Sequence, residues 1–270
     1  IAQFPKKLHI EDALTLKELN IWKTKAPEID FVVTSDLVQA LRIKKDKDEI
    51  ALIQKAQHHV DNVLQKTFPQ LIQKGISEKA LAFKLEQALM ESGNYGLSFP
   101  SIVAFSENSA IPHHQGGDRK LKPGDNILVD CGVILQGYCS DITRNFSFGS
   151  PSSEYLRQYE ELLKAQEASL GMIKGGKLIC EIDQICREQL GKEEPFFTHS
   201  LGHGVGINVH EEPRVSGKDL EALLENNMII TIEPGVYYEG KFGIRIEDLV
   251  WVQKDGCEIL SQCPKDLIIL

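Results

Sequence analysis

Apolar positions along the chain recur with two periods, first helical and then alternating, and the order occurs twice. Residues 47–68 place Ile50, Ile53, Val60, Val63 and Leu64 at helical spacing, which predicts an amphipathic helix. Ser77 is the expected N-cap of a second helix, with Leu81, Leu85, Ala88 and Leu89 on one side and Gly93 as its stop. An apolar stretch over 126–133 then predicts a strand leading into a pair that ends near Phe148. In the second half, 153–172 and 178–190 again read as helices, and 228–252 again as paired strands. The repeat predicts an α+β chain with pseudo-two-fold symmetry, each half finishing in a β-hairpin.

Residues 1–43 do not follow that order. They predict an amphipathic helix over 11–22, a loop through Pro27 and a short apolar strand at Phe31, Val32 and Val33. A lone helix and strand cannot bury both apolar faces. Residues 1–43 are therefore expected to be the end of a separate N-terminal domain, and 44–270 the main domain. An N-terminal arm lying on the main domain is the plainer alternative.

Each hairpin carries two acids. In Asp130-Cys131-Gly132-Val133-Ile134-Leu135-Gln136-Gly137-Tyr138-Cys139-Ser140-Asp141, a turn centred on Leu135-Gln136 would set Asp130 opposite Asp141. In the second hairpin, a turn around Gly240 sets Glu233 opposite Glu247. Opposed residues hold their Cβ atoms about 4.5–5.5 Å apart on one face, where like charges repel. A bound cation turns that repulsion into chelation. Surface hairpins with their acids in water would explain either one, but not paired acids in two apolar strand pairs. Four inward carboxylates suit a divalent ion, and two ions better than one.

Three of the eight histidines fall between His199 and His210, interleaved with Gly202, Gly204 and Gly206. The glycines exclude a stable helix and favour a close backbone approach. Their alternation with small apolar residues after His203 predicts a strand with one clear face. A single histidine is more often structural than a ligand; three beside two acid hairpins shift the balance. His113 and His114 follow Pro112 in a polar loop before the first hairpin, a place suited to handling substrate. His114 is expected to be merely solvated there, and His58 and His59 to be surface or boundary residues.

Bulk properties narrow the partners. A formal net charge of -9 argues against nucleic acid, whose phosphates need a positive field. No apolar run approaches the roughly 20 residues that span a bilayer. The six cysteines lack the short paired spacing of a zinc site, and a domain this large needs no disulfide scaffold. They are expected to be reduced, in a cytoplasmic protein, with a redox role conceivable for Cys131 and Cys139 beside the acids.

The stretches VDCGVILQGYCSDITRNF, THSLGHGVGINVHEEP, TIEPGVYY and GIRIEDLVWV resemble the Xaa-Pro branch of the pita-bread metallopeptidases, whose best-known members are aminopeptidase P and prolidase. The resemblance runs from about Lys44 to the end of the chain. It implies the pita-bread fold, and two divalent metal ions sharing a water: Asp130 on one ion, Asp141 bridging, His203 on the other with Glu233 beside it, and Glu247 bridging. Manganese is the metal it implies first, with cobalt or zinc next. It further implies that His113 and His210 face the substrate, that Glu233 shuttles a proton, and that His199 and Arg245 support the pocket. The substrates would be short peptides with proline second, and the assembly a homodimer. A methionine aminopeptidase shares the same ligand plan, a creatinase-like hydrolase uses the fold without metals, and some relatives are non-catalytic binding modules. The complete ligand set argues against the last two.

Overall fold

The computed structural model describes residues 5–35, 37–91 and 93–270, and the chain divides into two compact units, Ile1–Arg42 and Ile43–Leu270. In the first unit β1 (Lys7–Glu11) and β2 (Asp30–Thr34) pair in parallel, joined by α1 (Leu16–Lys25) and followed by α2 (Leu37–Arg42). This is a strand and a helix more than the sequence pattern predicts, and α1 starts at Leu16 rather than at residue 11. The cause is a capping box. The Thr15 hydroxyl accepts from the Glu18 N–H at 3.2 Å, and the Glu18 carboxylate accepts from the Thr15 N–H at 3.1 Å. That reciprocal pair ends the helix at Thr15, and the chain before it is left to extend as β1.

In the second unit α3 (Lys47–Asn62) starts from Asp46, whose side chain accepts from the Asp48 and Glu49 amides. It widens into a π turn over Val63–Thr67 before α4 (Phe68–Leu71). Pro69 has no N–H to give and crowds the preceding turn, so a continuous α-helix cannot pass through it. Next comes α5 (Glu78–Met90), capped as expected by Ser77, with Gly93 in the left-handed region at φ +71. The strands of the first half are β3 (Tyr95–Leu97), β4 (Ile102–Phe105), β5 (Asp125–Cys131), β6 (Val133–Leu135), β7 (Tyr138–Cys139) and β8 (Ile142–Phe148). The second half holds α6 (Ser153–Leu170), α7 (Ile179–Leu190), β9 (Gly202–Gly204), β10 (Glu211–Val215) and β11 (Ile229–Ile232). It ends in β12 (Gly235–Tyr238), β13 (Phe242–Arg245), β14 (Asp248–Gln253), β15 (Gly256–Ile259) and β16 (Ile268–Ile269).

Among the described residues the largest sheets run β16-β8-β5-β4 and β10-β9-β11-β14-β15. Each half packs its helices on its own sheet. Phe68, Leu81, Leu85, Phe105, Ile127 and Phe146 fill one core; Leu162, Ile182, Ile230, Ile244 and Val250 belong to the other. All of these are fully buried, and each such side chain contributes about 1.5–3 kcal/mol relative to exposure. A smaller cluster of Ile53, Val205, Ile229 and Leu249 joins residues of both halves. No helix among the described residues is long and apolar enough to cross a membrane.

The hairpin registers decide where the acids point. In the second hairpin they are as expected: Ile232 pairs with Asp248 and Gly235 with Arg245, so Glu233 and Glu247 face each other in the gap between two ladders. In the first hairpin the expectation fails by two residues. Asp130 pairs with Thr143, not with Asp141, and Leu135 pairs with Tyr138. The turn is Gln136-Gly137, with φ values of 50 and 92, the two positive φ angles that match strand twist in a tight hairpin. Because side chains alternate with a period of two, a shift of two residues keeps the same face inward. The glycine-rich run also differs from expectation. Its strand covers only Gly202–Gly204, and 206–210 form bends.

Candidate metal centre

The acids and His203 converge where the two halves meet. Asp130 stands near the end of β5, Asp141 in the break between β7 and β8, and His203 in the middle of β9. Glu233 and Glu247 fill the gap between their ladders. Asp141, His203 and Glu247 offer ligand atoms that all lie within 4.8 Å of one another. Glu233 Oε1 is 3.3 Å from His203 Nε2, and Asp141 Oδ2 is 3.6 Å from the same nitrogen.

Hydroxyls and one guanidinium orient the carboxylates. Thr143 donates to Glu247 Oε2 at 2.7 Å, and Thr231 to Glu233 Oε1 at 3.2 Å. Arg245 Nη2 donates to Asp130 Oδ2 at 2.7 Å, its Nε to Thr143 at 3.0 Å, and its Nη1 to the Tyr237 hydroxyl at 2.9 Å. The Tyr237 oxygen also lies 2.8 Å from His199 Nε2. For Asp130 and Glu247 these contacts fasten one oxygen and leave the other: Asp130 Oδ1 and Glu247 Oε1 are buried with no hydrogen-bond partner. A buried carboxylate oxygen without a donor is costly. A cation meets that need, so the residues present fit a metal.

The electrostatics agree. Burial raises the Asp141 carboxyl well above its usual range, and Glu247 and Asp130 beside it push the same way. Glu247 is raised well above its own by burial and by Glu233 and Asp130. Asp130 is raised too, burial outweighing Arg245. Glu233 goes the other way: burial opposes it, yet the hydrogen bond and charge of His203 bring it down to about 2. His203 is correspondingly raised, against its own burial, by Glu233. Burial lowers His199 and His210.

Of the remaining expected site residues, His210 is exposed with its ring 4.3 Å from that of His203. His113 is exposed on its loop. His114 is not a solvated loop residue. Its Nε2 lies 2.9 Å from the carboxylate of Glu78, a residue with no exposed surface. His59 stacks on Tyr95 at 3.9 Å, a boundary position as expected. The six cysteines are free thiols, and burial raises Cys131 and Cys139 away from the reactive thiolate.

Sequence reasoning passed over Thr143, Thr231, Tyr237 and Glu78. A signal for Tyr237 was present in its neighbouring glycines: a Cβ on Gly243, opposite it, or on Gly235, two residues before it on the same strand, would meet the Tyr237 side chain. Thr143 and Thr231 are polar residues in otherwise apolar inward strands, the signature of a partner held inside.

Residues 51–254 match metallopeptidase family M24. The chain belongs to that family. It is 35% identical to an Xaa-Pro dipeptidase of Pyrococcus furiosus over 263 residues, covering 97% of this chain and 75% of that protein. Its fold superposes on an Xaa-Pro dipeptidase from Bacillus anthracis with a TM-score of 0.94 at 35% identity, covering 98% of this chain and 75% of that one. The X-Pro aminopeptidase structure from Thermotoga maritima gives 0.93 at 36%, covering 98% and 76%. The pita-bread fold is thus the fold of this chain, and M24 membership makes it a metallopeptidase that works with divalent metal.

Proposed function

We propose that this M24 metallopeptidase cleaves the peptide bond between an N-terminal residue and a following proline, with two metal ions held by Asp130, Asp141, His203, Glu233 and Glu247. The observation that carries the reading is the pair of buried carboxylate oxygens without a donor, Asp130 Oδ1 and Glu247 Oε1, with Glu247 clustered with Asp141 and His203. Relatives named Xaa-Pro dipeptidase and X-Pro aminopeptidase supply the substrate class. Bound metal supplies a water of lowered pKa and a Lewis acid for the peptide carbonyl.

The chain's own groups do the rest. Glu233 accepts a proton from the attacking water and passes it to the leaving nitrogen. That nitrogen, in proline, is tertiary and carries no hydrogen, so proton delivery weighs more than in an ordinary peptide bond. His113 and His210, both exposed, meet the incoming peptide and donate to the carbonyl oxygen as negative charge grows there. His199, Tyr237 and Arg245 form the wall that holds Asp130. Oxygen donors with one imidazole favour manganese, with cobalt or zinc as substitutes. We further read residues 1–43 as part of a separate N-terminal domain, the protein as a cytoplasmic homodimer, and nucleic acid and membrane as absent from its partners.

The test is reconstitution with manganese and assay of an Xaa-Pro dipeptide against an Xaa-Pro-Yaa tripeptide, with Glu233→Ala as control. Cleavage that disappears in the variant supports the reading, and the preferred length separates dipeptidase from aminopeptidase. Intact peptides in the presence of verified bound metal would turn the assignment towards methionine-type substrates.

A further inference from the structure

Glu78 opens α5, and its carboxylate is wholly buried at a place the proposed chemistry does not use. Its Oε1 accepts from the Phe105 N–H at 2.8 Å and from Asn108 Nδ2 at 2.9 Å. Its Oε2 meets His114 Nε2 at 2.9 Å and accepts from the Gly117 N–H at 3.0 Å. An ionised carboxyl offers about four acceptor positions, and here all are filled.

All four donors belong to residues 105–117, and the two backbone donors stand at that segment's ends. A single side chain therefore closes the base of the loop. The middle of the loop is fastened to the metal side. The Ser109 hydroxyl accepts from the Gly243 N–H at 2.8 Å, and the Pro112 carbonyl accepts from Arg245 Nη1 at 3.3 Å. His113 follows Pro112, exposed, between the anchor at Arg245 and the anchor at Glu78.

We propose that Glu78 is a positioning residue for the reaction: by closing the base of residues 105–117 it sets where His113 meets the peptide. This rests on the role proposed above for His113. A carboxylate that merely stabilised the fold would act on every part of the site alike. One that positions His113 acts through His113 alone, and the difference is measurable.

Glu78→Gln replaces an acceptor oxygen with an amide that confronts other donors. It is expected to lower kcat about 10–100-fold, the usual cost of losing an orienting partner, with KM and metal content nearly unchanged. In a double-mutant cycle, adding Glu78→Gln to His113→Ala is expected to cost almost nothing more, since coupled residues fail to add. Losses that multiply would overturn the proposal. Should Glu78→Gln not fold, His114 gives the same test. His114→Gln keeps an N–H donor and is expected to retain most activity, while His114→Ala loses it; equal losses in both overturn the claim. Hydrogen exchange reads the loop without any substrate. Amides of residues 105–117 should exchange faster in Glu78→Gln while those of β5 and β8 do not, and unchanged exchange would refute the closure. An unaltered protein that cleaves no Xaa-Pro peptide would sink the reading of the site, and the exchange result would still decide the claim about Glu78.

Discussion

The two acid hairpins deliver their carboxylates by different routes. In the second, one register runs from Ile229 opposite Trp251 to Tyr238 opposite Phe242, and both acids lie in the gap between ladders. In the first, Asp130 stays in the ladder opposite Thr143, and only Asp141 lies in the break. Facing position is therefore not what makes these acids available. Asp130 and Glu247, one from each hairpin, each keep a buried oxygen without a donor while a donor holds the other. The donors cross between halves. Thr143 of the first half holds Glu247 of the second, and Arg245 of the second holds Asp130 of the first. Each half orients the other's acid, so neither hairpin alone would make the site.

The sharpest break of this comparison is at Glu233. Glu233→Gln keeps the shape and the Thr231 contact but removes the proton acceptor. We expect kcat/KM for an Xaa-Pro dipeptide to fall by about 10²–10⁴-fold, with the protein folded by circular dichroism. A loss no greater than that of Asp130→Asn would show that the gap position has no special role.

Next in size is the cross-half bond. Thr143→Val deletes the hydroxyl shared by Glu247 and Arg245. Metal affinity, followed by calorimetry, is expected to fall about 10–100-fold, and Thr143→Ser to restore most of it. Equal affinities for the Val and Ser variants would show that β8 does not orient Glu247.

The third prediction concerns the break itself. Gly132 lies opposite the Ser140–Asp141 break, where an added Cβ would strike the Ser140 carbonyl. Gly132→Ala is expected to destabilise the protein by about 1–3 kcal/mol, as overpacking does, in a denaturant titration. The same change at Gly137, in the exposed turn of that hairpin, meets no atom within 4 Å. It should be costly only through its positive φ, and it should leave metal binding intact.

The sequence showed much of this and hid a definable part. Helical spacing from Ile50 to Leu64 and the cap at Ser77 were readable because they are local. The register of the second hairpin was readable too, since Gly240 marks its turn and apolar residues alternate on both sides. The first register was misjudged because Gln136 does not advertise the positive φ that it adopts before Gly137. Glu78 was invisible for a different reason. An acid at the first position of a helix is ordinary helix chemistry, and only the path of residues 105–117, set by distant contacts at Gly243 and Arg245, brings four donors to it. Thr15 shows the opposite case: the capping box with Glu18 was legible, and reading it would have placed the start of α1 and left room for β1.

The smallest effect expected lies in that misjudged turn. A side chain in the left-handed region costs about 1–2 kcal/mol in general, but less for asparagine, whose short amide bonds locally. Gln136 occupies that region at φ 50, exposed, followed by Gly137 at φ 92. Asn-Gly is the preferred pair for two positive φ angles in a two-residue hairpin. Gln136→Asn should therefore stabilise the protein by about 0.5–1 kcal/mol without touching the site. Thermal unfolding would record this as a small rise in Tm, with metal affinity unchanged. A fall in stability would mean that the register of the first hairpin is held by the gap at Gly132 rather than by its turn, and the contrast between the two hairpins would then rest on their breaks alone.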